Sequence, residues 1–144
     1  ASYRRVYMNI IIVGNGKVGY TLAQYLTKDG HDVTILDKSQ QALLRASETL
    51  DVMCVRGNGA NAQTLIDAGV DKADIVIATT AGDEINMLCC LIAKRLGAKF
   101  AIARIRDPEY NESLAENIQN RWCDPFCSWQ FAARKYTSAH QCGN

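Results

Sequence analysis

Three glycines, Gly14, Gly16 and Gly19, stand in the spacing G-x-G-x-x-G where an apolar run meets an amphipathic stretch (IIVGNGKVGYTLAQYL, residues 11–26). Gly14 permits a tight turn out of a strand. Gly16 lacks a Cβ, so a diphosphate can approach the backbone. Gly19 lets the next helix pack closely on the sheet. Amides at the start of that helix then face the phosphates, and the helix dipole adds favourable potential. Asp37 lies 18 residues beyond Gly19, at the end of the next apolar run, VTILD. A carboxylate there accepts from both hydroxyls of an adenosine ribose and repels a 2′-phosphate, which favours NAD over NADP. Lys38 follows; it either offsets that repulsion or is solvated.

Further candidates stand where other apolar runs end. Gly57, Asn58, Gly59 and Ala60 follow the third run, placed to face an adenine or to form a turn and helix cap. Thr79 and Thr80 follow the fourth, where they can line the far half of a dinucleotide. Asp83 is a further candidate beside them, or an N-cap. Arg104 ends the fifth run; it can meet a phosphate or charged effector, or pair with Asp107 or Glu109.

The elements that would hold these residues alternate along the chain. Strands are expected at Asn9–Val13, Val33–Asp37, Val52–Val55, Ala73–Ala78 and Phe100–Arg104. A helix over Lys17–Lys28 carries Val18, Leu22, Tyr25 and Leu26 on one face and ends at Gly30. Ser39 caps a helix to about Leu50 bearing Leu43, Leu44 and Ala46, and Asn61 caps a short one that stops at Gly69. A longer helix over Glu84–Leu96 should bury Ile85, Leu88, Ile92 and Leu96. Pro108 opens a last helix to about Gln119, with Leu114 and Ile118 inward. Strands joined through helices pair in parallel, and runs such as NIIIV that barely alternate need cover on both faces. The expected fold is a doubly wound α/β sheet, Rossmann-like, with strand order 3-2-1-4-5.

The 144 residues suffice for one domain with a core, and 48% are apolar. A net charge of +1 argues against nucleic acid as a partner. The longest apolar run, Met87–Ala93, is far short of the ~20 residues that span a bilayer. Residues 1–7 form a polar, basic extension without the apolar core of a signal peptide. Cys54, Cys89 and Cys90 sit in apolar patterns, as core thiols of a reduced, cytoplasmic domain do.

From about Asn120 the character changes. The stretch NRWCDPFCSWQFAARKYTSAHQCGN holds both tryptophans and three cysteines without sustained rhythm. A sixth strand is doubtful there, which would leave the fifth as an exposed edge. Residues 120–144 read as an atypical tail, from a changed reading frame or appended sequence. A zinc site from Cys123, Cys127, His140 and Cys142 is an alternative, though C-x3-C…H-x-C is not a familiar framework. No metal site is assigned.

The segments MNIIIVGNGKVGYTLAQYLTKDGHDVTILD, VRGNGA, ADIVIATTAGDEINMLCCLIAKRLGA and IARIRDPEY together resemble the TrkA-type KTN domain, also called RCK. The likeness runs from about Met8 to Ile118, giving a nucleotide-binding unit over residues 8–119. It implies a cytoplasmic regulatory subunit at the inner face of the membrane, binding NAD(H), or ATP or ADP in some branches. It also implies dimers or rings of dimers beneath a membrane-embedded potassium transporter subunit. Gly14, Asn15, Gly16, Lys17, Val18 and Gly19 would then surround the phosphates and Asp37 the ribose. Asn58 and Gly59 would lie near the adenine, and Thr79, Thr80 and Arg104 toward the remainder. Lys17 stands where relatives often carry Arg.

Hydride transfer needs a substrate pocket and usually a general acid or base beside the nicotinamide. His31 precedes the second strand, away from the carboxyl edge, and His140 lies in the tail. No catalytic residue is assigned. The chain reads as a sensor rather than an enzyme, with the nucleotide part of a truncated dehydrogenase as the rival.

Overall fold

The computed structural model describes residues 4, 6–113 and 129–133, of which 111–113 and 129–133 by backbone alone. Six parallel strands form one sheet in the order β3-β2-β1-β4-β5-β6. They are β1 (Asn9–Val13), β2 (Asp32–Asp37), β3 (Met53–Arg56), β4 (Ile75–Ala78), β5 (Phe100–Ile105) and β6 (Trp129–Ala133). The helices are α1 (Lys17–Lys28), α2 (Gln40–Thr49), α3 (Ala62–Asp67), α4 (Asp83–Arg95) and α5 (Pro108–Ser113), with a 3-10 turn at Val70–Lys72.

The central strand β1 shows how the sheet is wound. Ile10 and Ile12 pack with Val33, Ile35, Ala23 of α1, and Leu43 and Ala46 of α2. Ile11 and Val13 face the other way, into Leu65 of α3 and Cys89, Cys90 and Ala93 of α4. Both faces are therefore covered, which is why the strands read as continuous apolar runs. Chain order reverses between β1 and β4, and ligands of such sheets gather outside the carboxyl ends at that reversal. Register brings those ends level: Val13 pairs with Leu36 on one side and Ala78 on the other, and Ala78 pairs with Ala103.

Local signals set the helix starts. The Ser39 hydroxyl accepts from the Ala42 amide at 3.2 Å, and Asn61 Oδ1 from the Thr64 amide at 3.1 Å. Asp107 accepts from the Glu109 amide at 2.9 Å, just before Pro108 opens α5.

Several details depart from expectation. Tyr25 of α1 and Leu44 of α2 are exposed, at 66% and 49%, because Ala23 and Ala46 occupy the contact line instead. On α4 the buried residues are Asp83, Asn86, Cys89, Cys90 and Ala93, and Leu88 is exposed. A sixth strand is present: Trp129–Ala133 pairs with Ala101–Ile105, so β5 is not an edge. Parallel pairing draws on backbone groups, so five residues suffice without any apolar rhythm. Leu114, Ile118 and the Cys123, Cys127, His140, Cys142 set lie outside the described residues. No helix among the described residues is long and apolar enough to cross a membrane.

Candidate functional site

The three glycines meet three different constraints. Gly14 adopts a φ of +97°, and a Cβ there would lie 3.0 Å from the Thr80 nitrogen. A Cβ on Gly19 would collide with the Gly14 carbonyl oxygen and approach Thr79 Oγ1 to 2.9 Å. Gly16 is extended, at φ −80° and ψ −164°, where any residue fits, and a Cβ there would meet no atom within 4 Å. Nothing within the described chain demands glycine at position 16. Its bareness leaves the backbone there open to approach from outside.

Gly16 is also the N-cap of α1 and makes no side-chain cap bond. The amides of Lys17, Val18 and Gly19 in the first turn have no acceptor within the helix. That turn carries no acidic residue, and Lys17 is exposed beside it. An uncapped 12-residue helix with an open approach suits a diphosphate. Asn15 is buried, donating Nδ2 to the Ala42 carbonyl, so it ties the glycine turn to α2. Its Oδ1 is buried without a hydrogen-bond partner.

Asp37 ends β2 beside this turn. Its Oδ2 accepts from the Asn15 amide at 2.6 Å and its Oδ1 from the Ser39 amide at 2.7 Å. Each oxygen retains acceptor capacity for a ribose hydroxyl. Lys38 is exposed, as a solvated lysine is. Arg56 pairs in register with Asp37 and donates Nε to the Lys38 carbonyl at 3.3 Å, a second cation at this corner.

The Gly57–Ala60 loop hangs from the same corner. The Gly57 amide donates to the Asp37 carbonyl at 3.0 Å, and Asn58 Oδ1 accepts from the Ala60 amide at 2.9 Å. Gly59 is buried so closely against Val13 that a Cβ would strike Cγ1 of that residue. The loop therefore covers the carboxyl end of β1, with Asn58 exposed at its tip.

The far half is built from β4, α4 and β5. Thr79 is buried, and its hydroxyl lies 3.1 Å from the Val13 carbonyl and 3.0 Å from that of Gly14. It locks the glycine turn from below. Thr80 bonds Asn86 instead: Asn86 Oδ1 accepts from the Thr80 amide at 2.9 Å and from its hydroxyl at 2.6 Å. Asp83 is not the cap of α4; Gly82 is. The Asp83 carboxylate accepts from the Arg106 amide at 3.1 Å and the Asp107 amide at 2.8 Å, tying α4 to the loop after β5. Arg104 is half-buried, and its carbonyl accepts from Asn86 Nδ2 at 2.8 Å.

Between these loops lies an open cleft of ≈ 560 Å³ lined by Ala81–Glu84, Arg106–Pro108 and Tyr110. The Arg106 guanidinium donates to the Ala81 carbonyl at 2.6 Å across it, and the Tyr110 hydroxyl to Glu84 at 2.7 Å. That hydrogen bond lowers the Glu84 pKa and raises that of Tyr110. Behind the site, burial pushes the Cys89 thiol up to about 12 and the Cys90 thiol higher still, so neither is a ready nucleophile. His31 accepts from the Met8 amide at 3.1 Å, before β2 and so at the amino end of the sheet.

The structure thus gathers Gly14–Gly19, Asp37, Lys38, Gly57–Ala60, Thr79, Thr80, Asp83 and Arg104 along one edge. Sequence reading missed Asn86, Arg56 and Arg106. The signal for Asn86 was a polar residue within the inward stripe of α4; Arg56 adjoins the assigned Gly57, and Arg106 lies two residues beyond the assigned Arg104.

Residues 10–121 match the family described as TrkA-N domain. A "Trk system potassium uptake protein TrkA homolog" of Archaeoglobus fulgidus is 48% identical over 103 residues, 72% of this chain and 23% of that protein. A protein of the same description from Methanothermobacter thermautotrophicus is 37% identical over 107 residues, 74% of this chain and 50% of that one. The chain therefore spans a quarter to a half of these relatives. Among solved structures, "GsuK channel bound to NAD" shares the fold with a TM-score of 0.66 at 24% identity, over 79% of this chain and 21% of that one.

Proposed function

Because the chain belongs to the TrkA-N domain family, we propose that it is a nucleotide-sensing regulatory domain of a potassium uptake system. It binds NAD or NADH, with ATP or ADP as alternative occupants of the same cleft. The amides of Lys17, Val18 and Gly19 and the bare backbone of Gly16 hold the phosphates. Asp37 holds the ribose hydroxyls beneath the Gly57–Ala60 loop, and the β4 and β5 loops bound the remainder. The observation that carries this reading is Gly16, a glycine that nothing else in the described chain requires.

The regulatory part rests on the two relatives' shared description as potassium uptake proteins. The sensing unit takes in residues 8–119 together with strand β6, Trp129–Ala133, which completes its sheet, and follows the extension 1–7. Its partners are a membrane-embedded potassium transporter subunit and further copies of itself, at the inner face of the cell membrane. A nucleotide with unequal affinity for two assemblies shifts the balance between them, and that shift is the output. The domain performs no turnover itself. The buried, high-pKa Cys89 and the placement of His31 at the amino end support that reading.

Calorimetric titration with NAD, NADH, NADP, ATP and ADP tests the proposal. Binding of NAD or NADH in preference to NADP is expected, and no heat with any of the five refutes it. Steady NADH consumption with aldehydes or keto acids, or NAD reduction by hydroxy acids, would instead restore the dehydrogenase reading.

A further inference from the structure

Asn86 has no exposed surface, yet every hydrogen-bonding capacity of its amide is used. Oδ1 takes two bonds from Thr80, and Nδ2 gives one to the Thr80 carbonyl at 3.1 Å and one to the Arg104 carbonyl at 2.8 Å. One side chain on α4 therefore joins the residue after β4 to a residue near the end of β5. A simple core position would be filled more cheaply by leucine, because a buried amide is tolerated only when fully bonded.

The two loops that Asn86 joins are the walls of the cleft between Ala81–Glu84 and Arg106–Tyr110. Asp83 and the Arg106–Ala81 bond tie the same walls nearer the surface. No residue of the phosphate turn or of the Asp37 corner touches Asn86 in these bonds. Asn86 nears the glycine turn only through Thr80, whose backbone abuts Gly14, and its own four bonds all lie in the distal half of the edge.

We infer that Asn86 is a positioning residue that sets the spacing of the β4 and β5 loops, and so governs affinity for the second nucleotide of a dinucleotide but not for an adenosine diphosphate. This rests on the nucleotide reading above. Asn86→Asp keeps the acceptor toward Thr80 and loses both donors. Arg106→Ala, at an exposed side chain, cuts the outer tie without touching the core and serves where Asn86→Asp does not fold.

Calorimetry with ADP and with NADH on the same preparations separates the outcomes. Asn86→Asp is expected to weaken NADH roughly tenfold, the scale of one lost hydrogen bond to a buried group, with ADP within about twofold. Arg106→Ala is expected to move NADH in the same direction, by about threefold, again sparing ADP. Parallel loss of both ligands would make Asn86 merely structural and overturn the inference, as would unchanged NADH affinity in either folded variant. Wild-type protein that binds neither ligand would overturn the nucleotide reading itself.

Discussion

Gly16 and Gly19 make opposite predictions, and the pair tests why the chain keeps them. In Gly19→Ala the new methyl meets the Gly14 carbonyl and the Thr79 hydroxyl, so α1 must move off the turn. Overpacking of this kind costs about 1–3 kcal/mol. Alanine's better helix propensity returns at most about 1 kcal/mol. With the full gain subtracted, the net loss of up to about 2 kcal/mol lowers the melting temperature of a domain near 100 residues by up to roughly 16 °C. In Gly16→Ala the methyl meets nothing, and the extended backbone suits alanine. Restricting the unfolded chain stabilises by about 0.4–1 kcal/mol, which offsets alanine's poorer N-cap preference of similar size, so melting stays close to wild type. On the proposed function, that methyl stands in the path of the diphosphate. Losing one charge-assisted bond costs about 1.5–3 kcal/mol, roughly 10- to 100-fold in NADH affinity. Thermal melts and calorimetric titrations of both variants give the answer. A Gly16→Ala protein that binds NADH normally, or melts as low as Gly19→Ala, would refute the assignment of the open face to a ligand.

Asp37→Ala should weaken NADH by about 1–3 kcal/mol in calorimetry, because it removes the proposed ribose acceptor and frees the Asn15 and Ser39 amides it holds. Equal affinity would remove the ribose role. The Glu84–Tyr110 bond predicts a pH signature: the Glu84 pKa is lowered in the fold, so its contribution is fully present above the ordinary carboxylate value and is lost as pH falls from there through the lower folded pKa. The melting difference between wild type and Tyr110→Phe should therefore be larger at pH 6 than at pH 3; a constant gap would show that the hydroxyl acts on something else.

Much of this architecture was legible because its causes are local. The apolar run of β1, the caps at Ser39 and Asn61 and the glycine spacing act within a few residues. What was not legible depends on distant partners. Leu88 has the right chemistry for the core of α4, but Asn86 takes an inward position because Thr80 and a backbone carbonyl 18 residues away complete its bonds. Asp83 resembles a cap, yet its ligands are amides 23 and 24 residues downstream. Thr79 is on the correct edge, but its hydroxyl faces the glycine turn, a contact 65 residues back along the chain. The strand Trp129–Ala133 left no pattern to read, since backbone pairing at a sheet margin sets little requirement on side chains.

The bonds that brace the carboxyl edge mostly end on peptide groups: Asp37 on two amides, Asn15 on the Ala42 carbonyl, Asp83 on two amides, Arg106 on the Ala81 carbonyl. The ion pair Asp74–Lys99 is found at the other end of the sheet, where β4 and β5 begin. Mobile ions screen separated charges over about 8 Å at physiological strength, but they do little to a carboxylate seated directly on an N–H. The scaffold of the pocket is thus held by forces that dissolved salt barely reaches. A receptor made this way keeps its shape while the concentration of the surrounding electrolyte rises and falls.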